Sequence, residues 1–423
     1  MCGIVGYVGP RNPVDIILSG LHRLEYRGYD SAGIALCPTR ADKLLVVKAK
    51  GKIVELEECL RHSPAAVPGA SFTLGIGHTR WATHGEPSVI NAHPHVSRSG
   101  DVAVVHNGII ENYSDLKKRL EAKGYPFVSQ TDTEVIAHLI EECYEGDLRS
   151  AVAAAVEQLE GTYGIVVLSR RHPDTLVAAR KGSPIAVGVG ENETIIASDI
   201  SAIVGHTQQV IFLDDGDILK ATARHVDVTS VKNVPVSREL THIDWDIGTI
   251  EKGGYEHFML KEIHEQPESL ANTIRGRLLP ESGSARLSGM QMDASAMARI
   301  ERVTIAACGT SYYAGMVGKY LFEDFANLPA DIQQAAEFRY RNPIIEPGTC
   351  LLAISQSGET ADTLAAVREA LMKGATVIGI CNVVGSTIAR EAGRGAYLHA
   401  GPEIGVASTK AFTSQVAVLA MMA

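Results

Sequence analysis

Met1-Cys2-Gly3-Ile4-Val5-Gly6-Tyr7-Val8-Gly9 opens the chain, and the reading of these nine residues decides what the first domain is. If Met1 is removed, Cys2 becomes the amino terminus, and one residue carries both a thiol and a free α-amine. The two groups have similar free pKa values, roughly 8.5 and about 7.7–8.0, so a proton passes from sulfur to nitrogen at little cost near neutral pH. A Lys, at about 10.4, would be almost wholly protonated there and a poorer base. An N-terminal amine can therefore activate its own side chain, as it does for N-terminal Thr nucleophiles. Gly3 leaves room beside the thiol, and the apolar residues behind it predict a strand over 2–8 that anchors the end. The same residues also fit an ordinary strand whose second residue happens to be Cys. The motifs further along separate the two readings.

A chain of 423 residues predicts two or three domains. With 45% hydrophobic and 21% charged residues, the composition is that of a soluble globular protein. The net charge of -10 is spread without a basic block, which excludes a nucleic-acid binder. The seven cysteines (Cys2, Cys37, Cys59, Cys143, Cys308, Cys350, Cys381) are odd in number and scattered. No CxxC pair or zinc-like Cys/His spacing occurs, so neither a disulfide framework nor a metal site is expected, and no cofactor is called for. The start lacks the basic region and long apolar core of a signal peptide, and no apolar run approaches membrane-spanning length. The expected setting is a reducing cytoplasm away from membranes.

After the first strand, Asn12-Pro13 predicts a helix start, with Ile17, Leu21 and Leu24 at helical spacing behind it. Strands are predicted near 31–37, 43–50, 72–78, 101–106, 163–169, 174–180, 194–198 and 210–213. Helices are predicted near 112–122, 132–144 and 147–159, where Val135, Ile136, Leu139, Ile140 and Cys143 form one stripe. Short strands with tight turns favour mixed or antiparallel sheets with helices outside.

Three stretches here are more polar than folding requires. Gly77-His78-Thr79-Arg80-Trp81-Ala82-Thr83-His84-Gly85-Glu86-Pro87, continuing to Asn91-Ala92-His93-Pro94-His95, reads as a loop after a strand. Arg80 could fork onto a substrate carboxylate there, or the loop could be a polar surface. A metal is disfavoured because the His spacing fits no helix face. His106-Asn107-Gly108 follows the apolar strand Val102–Val105. The Asn107 side-chain amide and the Gly108 N–H could form an oxyanion hole. Asn-Gly is also the strongest short hairpin signal, and turn statistics favour that reading of the dipeptide alone. Thr131-Asp132-Thr133-Glu134 starts a helix. Asp132 could hold a substrate ammonium, or Thr131 or Asp132 could cap the helix, which is the better reading of this stretch alone. Together the three describe a pocket for a free α-amino acid, with glutamine the first choice: Arg80 for the carboxylate, Asp132 for the ammonium, Cys2 for the side-chain carbonyl.

MCGIVGYVG, residues 23–33 (Arg23-Leu24-Glu25-Tyr26-Arg27-Gly28-Tyr29-Asp30-Ser31-Ala32-Gly33), GHTRWATHGEP, HNGIIEN and TDTE resemble the glutaminase domain of the glutamine–fructose-6-phosphate aminotransferase family. The resemblance runs over roughly residues 2–240. It implies an N-terminal-nucleophile hydrolase fold, a four-layer α/β/β/α sandwich. It assigns Cys2 as nucleophile and Asn107 and Gly108 as oxyanion donors. By the same likeness Arg80, Thr83, His84, Gly108 and Asp132 bind glutamine, Arg27 and His93 support the site, and Trp81 gates the ammonia path.

Residues 241–298 read as a linker with helices, one of them starting at His264-Glu265-Gln266-Pro267 and running to Arg277, and 280–295 as a small, polar joint. From 299 to 423 the rhythm becomes strand–loop–helix, with strands over Val303–Cys308, Leu351–Ser355, Thr376–Cys381 and Tyr397–Ala400. Repeated units of this kind predict a doubly wound parallel sheet, so the chain is α+β followed by α/β. Ligands in such sheets bind at the carboxyl ends of the strands. Three of those ends carry hydroxyls before a helix: Thr310-Ser311, Ser355-Gln356-Ser357-Gly358-Glu359-Thr360 and Ser408-Thr409. Helix N-termini and neutral donors suit a sugar phosphate, although Ser and Thr are also the common N-caps. No GxGxxG or GxxxxGK[ST] stretch occurs, which disfavours a nucleotide. CGTSYYAG, SQSGETADT and EIGVASTKAFTSQ resemble the first sugar-isomerase (SIS) half of the same family. By that likeness Thr310, Ser311, Ser355, Gln356, Ser357, Thr360 and Val406, with Ser408 beside them, surround fructose 6-phosphate, and the full-length protein is a homodimer.

The family carries two sugar-isomerase halves and a tail, whereas this chain stops at Ala423 in an apolar stretch without a Gly C-cap. The expectation is a truncated product that presents apolar surface and keeps the glutaminase half-reaction without sugar isomerisation. Two competing readings remain: a glutaminase feeding another acceptor, as in purine or asparagine amidotransferases, and a non-catalytic sugar-phosphate sensor. Residues 300–423 argue against the first, and a glutaminase assay separates the second.

Overall fold

The computed structural model describes residues 2–25, 28–39, 43–64, 71–81, 85–243 and 253–423. The chain forms two compact units, Met1–Asp246 and Ile247–Ala423.

In the first unit the strand Gly3–Val8 is buried throughout. It lies between Phe72–Arg80 and Glu193–Ala197, antiparallel to both. Among the described residues this sheet has eight strands, and a second sheet has six. The two stack face to face. Ile4, Val8, Leu74 and Ile76 of the first meet Ala103, Val105, Val166 and Leu168 of the second in one core. Alternation decides which side chains enter it, because successive residues of a strand point to opposite faces.

Helices cover both outer faces. Asn12 caps the helix Pro13–Leu24, its side-chain oxygen accepting from the Val14 N–H at 3.2 Å. That helix lies on the eight-stranded sheet at Gly77, where a Cβ would sit 2.3 Å from Ile17 Cγ2. Only glycine lets helix and strand approach that closely. On the other side, Tyr113–Ala122, Glu134–Glu142 and Leu148–Val156 cover Val102, Val104, Ile165, Val167 and Val177 of the six-stranded sheet. The layers run α/β/β/α.

Three features depart from the pattern analysis, the first being the strand Ala186–Gly190, which joins the eight-stranded sheet where none is predicted. Strand Val102–Ile110 runs straight through Asn107-Gly108 and pairs with Gly161–Ser169, so the dipeptide is no hairpin turn. A helix also forms at Ile53–Arg61, where none is predicted. Its signal is faint: Lys52 gives no side-chain cap, and three residues, Ile53, Leu56 and Leu60, are buried.

Among the described residues the second unit holds a five-stranded sheet in the order 330–334, 302–307, 349–355, 376–381, 395–397, all parallel. Helices Gly309–Phe325 and Lys410–Met422 pack on one face through Ala314, Phe322, Val418 and Leu419. Ala361–Met372 and Thr387–Ala392 pack on the other through Leu364, Val367 and Ile388. The strand order reverses between Arg302–Ala307 and Thr349–Ser355. Their carboxyl ends therefore flank the crevice where doubly wound sheets bind ligands. The edge strand Ala330–Gln334 escapes the pattern analysis because only Ala330 in it is buried. The predicted polar joint contains a short hairpin, Leu278–Leu279 with Ser284–Ala285. The helix expected from His264 to Arg277 runs over Gln266–Ile274, and a further helix, Phe258–His264, precedes it.

Candidate active site

Cys2 stands immediately ahead of strand Gly3–Val8, half-buried, beside the end of the neighbouring strand. Its Sγ accepts from the Trp81 N–H at 3.3 Å and lies 3.6 Å from the Trp81 carbonyl. Burial pushes the thiol up, while the Trp81 N–H and the Arg80 guanidinium pull it back, and the net shift is upward. The sulfur is therefore held as a thiol near neutral pH, and attack needs a base beside it.

Asn107 reaches Cys2 from the other sheet. Its Nδ2 donates to the Cys2 carbonyl at 3.0 Å, and its Oδ1 lies 3.0 Å from His78 Nε2. Gly108 follows with φ +138°, and a Cβ there would sit 2.1 Å from the Thr162 carbonyl oxygen. The glycine is required by the close approach of the partner strand. Replacing Gly108 with Ala is expected to cost about 3 kcal/mol of stability through strain and a forced strand shift. Glutamine hydrolysis should fall with it. Denaturant unfolding with a parallel glutamate-release assay checks both.

Arg80 ends strand Phe72–Arg80 and is 5% exposed, with Nη2 donating to the Gly85 carbonyl at 3.2 Å. The strand predicted over 72–78 thus runs on through Thr79 and Arg80, which were expected in the loop. Burial pulls the Arg80 guanidinium down, and Cys2, Asp132 and Asp30 oppose that. Asp132 is buried, and its Oδ2 accepts from the Ile110 N–H at 2.8 Å. Neither Asp132 nor Thr131 caps the helix. Thr133 occupies the N-cap without a side-chain bond, and Thr131 Oγ1 meets His95 Nε2 at 3.0 Å. The capping reading is therefore corrected: tertiary contacts take both side chains. Trp81 is 42% exposed and meets Tyr29 edge to face at 5.5 Å. Arg27, Thr83 and His84 lie outside the described residues, as does Met1.

His93 is buried under this pocket. It stacks on His78 at 4.2 Å, and its Nδ1 accepts from the His106 N–H at 3.3 Å. His95 lies edge to face against it at 4.8 Å. Among the described residues no group of three or more His, Cys, Asp or Glu is arranged to hold a metal. His78 gave no signal in the sequence beyond being polar in an apolar strand.

In the second unit Thr310 and Ser311 lie in the first turn of helix Gly309–Phe325, and Ser311 Oγ accepts from Gln415 Nε2 at 3.0 Å. Ser355 ends its strand, with Oγ 2.9 Å from Thr360 Oγ1 and accepting from the Gly358 N–H at 3.0 Å. Ser357 Oγ accepts from the Glu359 N–H, and Gln356 Nε2 points to the Glu403 carbonyl at 3.4 Å. None of the three helices starting at these ends has a side-chain cap bond from its N-cap residue, so the hydroxyls are not spent as caps. The third end differs from expectation. Glu403 accepts from the Thr409 and Ala411 N–H groups at 2.7 and 3.2 Å, and from Ser408 Oγ at 2.6 Å. The protein's own carboxylate occupies that helix start, where an anion is favoured, so it is not open to a phosphate. Val406 is 81% exposed on the same loop. The role of Glu403 was invisible because nothing in its spacing marks it.

Residues 78–205 match the glutamine amidotransferase domain family, and residues 296–423 match the SIS domain family. A glutamine–fructose-6-phosphate aminotransferase [isomerizing] of Chlorobaculum tepidum is 52% identical over all of this chain and 69% of its own length. One of Thermus thermophilus is 51% identical over all of this chain and 68% of its own length. The chain belongs to the glutamine–fructose-6-phosphate aminotransferase family. It spans about two thirds of the length of these aminotransferases. A solved C-terminal domain of the aminotransferase from Francisella tularensis is 44% identical over 41% of this chain and 48% of that chain, at a TM-score of 0.38, too low to speak for the fold. Among the described residues, no helix is long and apolar enough to cross a membrane.

Proposed function

We propose that Cys2 hydrolyses glutamine, and that the ammonia is passed to fructose 6-phosphate to give glucosamine 6-phosphate and glutamate. The thiol attacks the side-chain carboxamide carbon while the α-amine of Cys2, freed by loss of Met1, takes its proton. The oxyanion is held by the Asn107 Nδ2–H and the Gly108 N–H. The amine returns the proton to the leaving nitrogen, the C–N bond breaks, and ammonia departs. Water then cleaves the thioester to release glutamate. Arg80 holds the α-carboxylate and Asp132 the α-ammonium. The observation that carries the reading is the Asn107 carboxamide nitrogen donating at 3.0 Å to the main-chain carbonyl of Cys2, the residue that bears the thiol. The sugar phosphate binds at the strand-order reversal of the second unit, with Thr310, Ser311, Ser355, Gln356, Ser357 and Thr360 about its phosphate and hydroxyls. The seven cysteines are all free, which suits a reducing cytoplasm.

An electrophilic glutamine analogue tests the chemistry. One equivalent should bind, located at Cys2 by peptide mass analysis, and glutamine should protect. Label elsewhere, or none while fructose 6-phosphate still binds, would replace the enzyme by a sugar-phosphate sensor. Intact mass of the same sample reports whether Met1 has been removed.

A further inference from the structure

We propose that His78 is a positioning residue for glutamine hydrolysis, holding the Asn107 carboxamide with its nitrogen toward Cys2 and its oxygen away. This rests on the reading of Asn107 as an oxyanion donor and deepens it. A carboxamide has two unlike ends, and its terminal torsion is broad and roughly two-fold. Turned over, Asn107 would face the developing oxyanion with its own oxygen. Something must fix the orientation, and the hydrogen bonds show what does.

The Cys2 carbonyl can only accept, so Asn107 presents Nδ2 to it and Oδ1 to His78. His78 Nε2 lies 3.0 Å from that Oδ1 and 3.1 Å from the His106 carbonyl. Both are acceptors, so Nε2 carries the ring proton. A neutral imidazole has one N–H, which leaves Nδ1 bare, and His78 Nδ1 is the buried ring nitrogen with no partner. Protonation would put an N–H there with nothing to accept it. Burial accordingly holds the ring far down, to about 3. The ring cannot swing away: it is fully buried and stacked on His93, with 25° between the planes. Its backbone is held on both sides by pairing with Ile4 and Gly33. His78 therefore supplies a fixed donor across a range in which an exposed histidine would titrate.

Two substitutions separate positioning from packing. His78→Phe keeps the ring and the stack but has no N–H, whereas His78→Gln offers an N–H. His78→Phe is expected to lower kcat for glutamine hydrolysis about 10–10²-fold, below the full effect of a lost oxyanion donor, with KM within about three-fold. His78→Gln should recover most of the loss. In an Asn107→Ala background, His78→Phe should change kcat by less than about two-fold, because it acts through Asn107. Unchanged kcat in His78→Phe, equal losses in Phe and Gln, or losses that multiply with Asn107→Ala would overturn the proposal. Should Asn107→Ala itself hydrolyse glutamine normally, it is the oxyanion reading that fails. Nitrogen-15 NMR of the wild-type protein does not depend on any variant folding. It should show His78 as the Nε2–H tautomer, without titration between about pH 6 and 8, where the protein stays folded. The other tautomer, or a ring that titrates there, overturns the proposal.

Discussion

Cys2→Ala is expected to abolish glutamine hydrolysis, lowering kcat by at least about 10⁴-fold, the scale on which nucleophile removal acts in comparable acyl-transfer sites. The fold should be indifferent to the change. Cys2 precedes its strand and is half-buried; its thiol meets the Trp81 backbone, and its carbonyl, which accepts from Asn107, is kept in the variant. A melting temperature within a few degrees of wild type is therefore expected beside the lost activity. Glutamate release for the two proteins, measured with thermal melts, decides it: comparable rates would remove Cys2 from the chemistry. The thiol pushed up by burial adds a second expectation. Since the thiolate is not preformed, blocking the α-amine by acetylation should depress the rate on the 10²–10⁴-fold scale of a lost general base, although the sulfur is intact.

The first unit should also unfold in mild acid. His78, His93, His95 and His106 are all buried, and burial holds each below its ordinary value of 6.5. Above pH 6.5 these rings are neutral in both the folded and unfolded chain and have no effect on stability. Below it, only the unfolded chain takes up protons, so stability falls as pH falls. His78, His93 and His95, the rings held furthest down, each contribute about 1.4 kcal/mol per pH unit once below that value, so together they amount to roughly 4 kcal/mol one unit lower. That approaches the whole margin of many domains, about 5–15 kcal/mol. Cooperative loss of structure is expected near pH 5 to 5.5, with glutaminase activity lost alongside it. Circular dichroism against pH, with calorimetric proton uptake approaching three per unfolding event, checks this. Stability that stays flat down to about pH 5 would contradict it.

What the sequence disclosed and what it hid follow from the range over which each signal acts. Asn12-Pro13 marked a helix start because capping is settled within three residues, and the cap bond to Val14 is there. The parallel sheet of the second unit was legible because each strand, loop and helix repeats the same local pattern. Asn107-Gly108 misled as a turn because the dipeptide statistic is local. The demand for glycine comes from the Thr162 carbonyl on a partner strand. Asp132 and Thr131 looked like caps for the same reason, while their partners, Ile110 and His95, lie 22 and 36 residues away. His78 was hidden most fully: its meaning depends on Asn107, 29 residues on and in the opposite sheet. Glu403 was hidden at short range, because a carboxylate in a Gly- and Pro-containing loop looks like any solvated charge.

The nucleophile leads a strand of one sheet and the oxyanion donor comes from the middle of a strand in the other. They are 105 positions apart in the chain, and only the packing of the two sheets on the inner core brings them together. Glutamate release is thus a gauge of tertiary registry. A swollen intermediate with every strand and helix intact would already be silent, because sliding one sheet past its mate by about an ångström misaligns the attack.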